Sequence, residues 1–109
     1  MADALKNLGQ SLPAAGTLTA LYTVPGSTSA VMNLFTACNE SSATARFRLS
    51  VAVAGAADAI SQYVYFDQQV AGRSTFVASL GIPLATTDVV RVQSDSGSIA
   101  FHAYGVEVT

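Results

Sequence analysis

Arg46 and Arg48, two positions apart in "RFRLSVAVA" (residues 46–54), are the densest basic chemistry in a chain with only 5 Lys and Arg residues. A pair like this on one strand face has four uses: gripping a phosphate, serving a catalytic site, pairing with carboxylates, or docking against protein. A second candidate set is Cys38 with His102, the one cysteine and the one histidine, which together offer a thiol nucleophile and an imidazole base. The acids are Asp3, Glu40, Asp58, Asp67, Asp88, Asp95 and Glu107.

Most of this chemistry dissolves on inspection. His102 stands between Phe101 and Ala103 with no Ser, Asp or Glu motif around it, and a lone histidine makes no His-based metal cluster. Cys38 alternates with Met32 and Leu34 in "SAVMNLFTAC", on what reads as an apolar core face, where a thiol behaves as a small, inert hydrophobe. Asp58, Asp88 and Asp95 fall at turn positions, where aspartate bonds backbone N–H groups. No two acids are spaced as ligands of one site, and no calcium loop, Walker loop or dinucleotide fingerprint is present. The expectation is no enzyme: no catalytic residue, no cofactor and no metal.

Composition points to packing instead. The 109 residues make one domain, half of them hydrophobic, 8% aromatic and only 11% charged, against about 25% in typical soluble domains. A monomer of this mass exposes roughly 5,700 Å², so each charge has roughly 470 Å² to itself. A surface this neutral stays monomeric poorly, and the preferred reading covers part of it in an assembly. A net charge of −2 with a pI near 4.9 argues against nucleic acid as partner. No apolar run reaches the ~20 residues of a membrane span. "MADALKNLGQ" lacks the apolar core of a signal peptide, so synthesis in the cytoplasm with no export by this route is expected. A single cysteine forms no internal disulfide, and the sequon at Asn39 carries no meaning without secretion.

The elements that must position these residues are short strands. Turn-forming residues recur at Pro13–Gly16, Pro25–Gly26, Asn39–Ser42, Gly55–Asp58, Ala71–Gly72, Gly81–Asp88 and Asp95–Gly97. Between them, runs rich in Val, Thr, Tyr, Phe and Ile predict seven strands, over 17–24, 29–38, 44–53, 60–67, 73–80, 88–94 and 98–108. That pattern predicts an all-β protein, a single antiparallel β-sandwich of immunoglobulin-like or jelly-roll-like type over residues 15–109. Residues 1–14 show no strand alternation and read as an extended arm carrying Leu5, Leu8 and Leu12 as apolar anchors.

"RFRLSVAV" and "ISQYVYFD" flank "AGAADA" as a hairpin. Pairing Val53 with Ile60 sets Phe47 opposite Phe66 and Leu49 opposite Val64 on the core face. The outer face then holds Arg46 opposite Asp67 and Arg48 opposite Tyr65, with Tyr63 alongside. Partnered arginines do not grip phosphate. They make good docking material, because Arg and Tyr are enriched at interface hot spots. The candidate interface is therefore Arg46, Arg48, Tyr63 and Tyr65 with the three arm leucines. The second and last strands are apolar on both faces, so either they are central and covered on both sides or their outer faces meet another subunit.

Across nearly the whole chain, "NLGQSLPAAGTLTALYTVP", "CN" at Cys38–Asn39, "FRLSVAVAGAADA", "QYVYFD", "STFVASLGIPLATTDVVRV" and the closing "FHAYGVEVT" resemble a group of small virion-associated proteins of tailed bacteriophages. Their members run from an "NLGQ" arm to a "G-x-E-x-T" ending. The resemblance implies a non-enzymatic, repeated virion subunit, first of all a capsid decoration or cement protein. Its expected partners are copies of itself, a trimer for instance, and the major capsid protein or tail proteins. The alternatives are a tail or baseplate accessory subunit and, in a different class, a carbohydrate-binding adhesin that stacks sugars on Tyr63 and Tyr65.

Overall fold

The computed structural model describes residues 3–109 and contains eight strands. They are β1 (Asp3–Ser11), β2 (Thr19–Thr23), β3 (Ser29–Asn39), β4 (Ala45–Ala52), β5 (Tyr63–Val70), β6 (Thr75–Leu84), β7 (Val89–Ser94) and β8 (Ile99–Val108). Pairing is nested: β1 with β8, β2 with β7, β3 with β6 and β4 with β5, all antiparallel. Two further ladders, β3 with β8 and β4 with β7, complete two four-stranded sheets, ordered β1-β8-β3-β6 and β2-β7-β4-β5. They pack face to face as a sandwich. Apolar residues recurring at every second position of β8, β7 and β4 need such a partner sheet to hide them.

The space between the sheets is filled by Phe35, Phe47 and Phe101, whose ring centroids lie 5.7–5.9 Å apart. Met32, Leu49, Ile99, Val90 and Val92 close around them with essentially no exposure. One end of the core is polar. Asn39 is buried, and its amide nitrogen donates to the carbonyls of Ala43 and Val70 at 2.8 and 3.0 Å. Its oxygen accepts from the Ser41 N–H and from the hydroxyls of Ser41 and Ser98. One side chain thus ties together the turns that follow β3, β5 and β7.

The described residues form eight strands, not seven, and the additional one lies within the expected arm. Residues 3–11 pair along β8 as an edge strand instead of standing free. "DALKNLGQS" hid this because an edge strand held mainly by its ladder needs little apolar alternation. A bulge at Leu8 turns that leucine into the core. Directly after it, Gly9 lies so close to β2 that a Cβ there would stand 2.1 Å from the Leu21 oxygen.

A bulge also reverses the expected face of β3. Asn33 is an extra residue relative to β8, so Met32 points inward while Leu34, Thr36 and Cys38 point outward and Phe35, Ala37 and Asn39 point inward. Cys38 is half-exposed on the outer face of the sheet, not buried with Met32.

Candidate functional site

The hairpin register starts as expected and then slips. Ser50 faces Tyr63, but Leu49 faces Tyr65 and Phe47 faces Gln68, because β5 carries extra residues at Val64 and at Phe66–Asp67. Tyr65 is thereby turned inward onto Phe47 and Phe76, at centroid distances of 5.9 and 5.1 Å. Val64 and Phe66 turn outward, where both are exposed. The expected pairs Arg46–Asp67 and Arg48–Tyr65 are therefore replaced. Arg48 faces the bulge and meets both of its residues: its Nε donates to Asp67 at 2.7 Å, and its guanidinium lies 3.9 Å from the Phe66 ring centroid. This pairing holds the Asp67 carboxyl below its ordinary range, with Arg46 adding a weaker pull, and raises Arg48. Tyr63 packs edge-on against Phe66 and donates its hydroxyl to Asp58. Partial burial first, and that aspartate second, push its phenol up.

Arg46 and Arg48 share a shallow cleft of about 230 Å³ with Asp67 and Asp95. Asp95 accepts the Arg46 backbone N–H at 2.9 Å. Two cations against two anions leave no excess positive charge for a phosphate. Arg91, beside them on β7, donates to the carbonyls of Ala56 and Gly55 and props the β4–β5 loop. Arg48 is half-buried and Asp67 exposed, and ion pairs at the surface contribute only ~0–1 kcal/mol. Arg48→Ala is therefore expected to change the free energy of urea unfolding by less than ~1 kcal/mol.

The opposite face has a different chemistry. On the outer side of the first sheet, successive rows across the four strands read Leu5–Val106–Val31–Pro83, then Asn7–Tyr104–Leu34–Ser79, then Gln10–His102–Thr36–Val77. A last, shorter row is Ala100–Cys38–Thr75. None of these residues is an acid, a lysine or an arginine. The first formal charge is Asp3, at the corner beside Val108. The His102 and Tyr104 rings stack in parallel near the centre, 6.1 Å apart. Leu5 is 89% exposed and Val77 59%. Three of the four arginines (Arg46, Arg48 and Arg91) thus stand on the second sheet, while the first presents a neutral plate.

Of the arm leucines, Leu5 lies on this plate, Leu12 is exposed just beyond β1, and Leu8 is core. Sequence reasoning missed the group that fixes β1. Glu107 is buried, takes Lys6 of β1 at 3.0 Å and accepts the hydroxyl of Tyr22 from β2. The Tyr22 hydrogen bond and then Lys6 hold its carboxyl below the usual range, while burial and Glu107 push the Tyr22 phenol up. The signal was Glu107 standing at an inward position of a strand.

A lowered folded-state value means Glu107 stabilises above the ordinary carboxylate range and that this contribution is lost as pH falls through the lowered value. Glu107→Gln is expected to lower the melting temperature near neutrality, with the gap to the parent closing in acid. A gap that stays constant across a pH series of thermal melts would remove the ionised carboxylate from the account.

Cys38 and His102 do not form a nucleophile–base pair. Cys38 lies beside Ala100, His102 lies beside Thr36, and His102 stacks on Tyr104. Asp88, expected at a turn, accepts the N–H groups of Ala54 and Ala85, both at 2.9 Å. Among the described residues, no three His, Cys, Asp or Glu side chains gather in a metal-binding group. No helix among them is long and apolar enough to cross a membrane. What the fold defines is a two-sheet β-sandwich with one neutral and one charged outer face. No protein-family model matches the chain, and no curated protein matches it.

Proposed function

We propose that the protein is a non-enzymatic structural subunit of a tailed-phage virion, a capsid decoration or cement protein that works by packing. The observation carrying this reading is the uncharged outer face of the β1-β8-β3-β6 sheet. A face of that kind is costly to leave in water and cheap to cover with protein. The nested order of pairs, first strand with last, corresponds to the jelly roll, an architecture that virus capsid subunits use. The polar groups described above support the same reading, because Asn39, Asp88, Asp95, Arg91 and Glu107 are all engaged in holding strands and turns.

Lectins also use the jelly roll, so the carbohydrate-binding alternative shares the fold argument. The aromatics argue against it. The Phe66 ring carries Arg48 and is met edge-on by Tyr63, the Tyr63 hydroxyl is held by Asp58, and Tyr65 is turned into the core. No ring in this group offers the free flat platform that sugar stacking needs.

The test is mass spectrometry of purified virions, made with the gene intact and with it deleted, alongside a glycan-binding screen of the purified protein. The expected result is many copies per particle, located on the head, and no glycan bound. Copies found only in tail fractions would move the subunit to the tail. Absence from particles, or tight binding of a glycan, would overturn the proposal.

A further inference from the structure

We infer that the neutral face of the β1-β8-β3-β6 sheet takes the same face of a second copy of this chain, so that the working unit is a back-to-back pair. The inference deepens the packing role proposed above by naming the partner of that face. Three observations carry it.

The first is the charge map. A partner pressed onto the rows from Leu5–Val106–Val31 to Ala100–Cys38–Thr75 desolvates no formal charge on either side when it is a second copy. Leaving out charges removes the largest cost of burying protein surface. Tyr104 and His102, stacked near the centre, supply the aromatic area that interface cores favour.

The second is where the remaining charge goes. Each copy carries a net charge of −2. Joined through the neutral faces, the arginine- and aspartate-bearing second sheets point away from each other. The body is 19 Å thick along its shortest axis, so those sheets end up well beyond the ~8 Å Debye length at physiological salt. Self-association through the second sheets would instead bring charged surface against charged surface.

The third is size. The broad side of a body 45 × 27 × 19 Å across is large enough to supply the ~800 Å² per partner that a standard stable interface covers. A twofold axis through the face makes the contact isologous, so each residue enters it twice.

The experiment uses the full chain in sedimentation velocity across a dilution series, with Thr36→Lys and Val77→Lys as variants and Arg48→Ala as a control on the opposite face. Thr36 is half-exposed at the middle of the plate and Val77 is exposed near its β6 edge, so neither lysine enters the core. The expected result is a self-associated parent, an unchanged control, and at least ~100-fold weaker association in both lysine variants, since each places two charges in the contact. Cys38 gives a second readout on the folded protein. A thiol reagent should label it slowly in the associated parent and faster, by a comparable factor, in the lysine variants. Far-ultraviolet circular dichroism confirms that each variant is folded. If Thr36→Lys fails that check, Val77→Lys and the labelling decide.

A parent that is monomeric at ~100 µM overturns the inference, as does any assembly that survives both lysine variants. The virion reading fails separately. A protein that pairs as described yet is absent from particles sinks that reading and leaves the interface standing. A monomer found in particles does the reverse.

Discussion

Gly105→Ala is expected to cost more than about 4 kcal/mol and to leave little folded, soluble protein. A Cβ at this position would stand 1.9 Å from the Val31 carbonyl oxygen and 3.1 Å from a methyl of Leu8. The first obstacle is backbone of the neighbouring strand, beside the Asn33 bulge, and it cannot swing aside as a side chain can. Gly105 sits on β8 between β1 and β3, so any shift spreads to both ladders. With total stabilities of 5–15 kcal/mol typical of a domain, such a change is close to unfolding. Gly26→Ala is the matched control: nothing lies within 4 Å of its added carbon, and the expected change is within about 0.5 kcal/mol. Soluble yield and urea denaturation of both variants check the pair. Equal stability would mean that β8 and β3 do not approach this closely.

Asn39→Ala is expected to cost about 3 kcal/mol, which for a chain of this length is roughly 15 °C in melting temperature. The substitution strips donors from the carbonyls of Ala43 and Val70 and an acceptor from Ser41 and Ser98. Buried groups left without partners account for most of the loss. Asn39→Asp keeps the acceptors but presents oxygen where the carbonyls need a donor, so it should be at least as damaging. Thermal melts followed by circular dichroism measure both, and a shift below 5 °C for Asn39→Ala would contradict the hub role. The same geometry makes the sequon at Asn39 unusable in the folded state, because its nitrogen is buried and already donating.

The two-sheet class and most strand positions were legible because turns and β-branched runs report directly on them. What alternation does not reveal is a bulge. Asn33, Leu8, Val64 and Phe66–Asp67 each break the ladders, and each reverses every inside–outside assignment beyond it. Cys38 was assigned to the core and Tyr65 to the surface for that one reason. Arg48 was expected on an outer face and lies there, but with Tyr65 as its expected partner and Asp67 assigned to Arg46; in the bulged ladder it meets Asp67 and Phe66 instead. β1 was missed for another reason, since hydrogen bonding to β8 and the Lys6–Glu107–Tyr22 group replace the apolar alternation that marks a strand in sequence. "NLGQ" and "GVEVT" hold Leu8, Gly9, Gly105 and Glu107, which lie where β1, β2, β3 and β8 come together.

The placement of β8 also sets a timetable. Of the eight described strands it is the last in sequence, yet it lies between β1, the first of them, and β3. Until residues 99–108 emerge, β1 has no ladder and one side of β3 stays open, while β2, β4, β5 and β7 already have every strand of their sheet. The first sheet therefore keeps an unfinished apolar layer until β8 is made, and joining β8 to β1 closes the longest loop between paired strands. A nascent chain is therefore most vulnerable to aggregation just before β8 emerges, and a deletion within residues 99–108 would be far more harmful than its short length suggests.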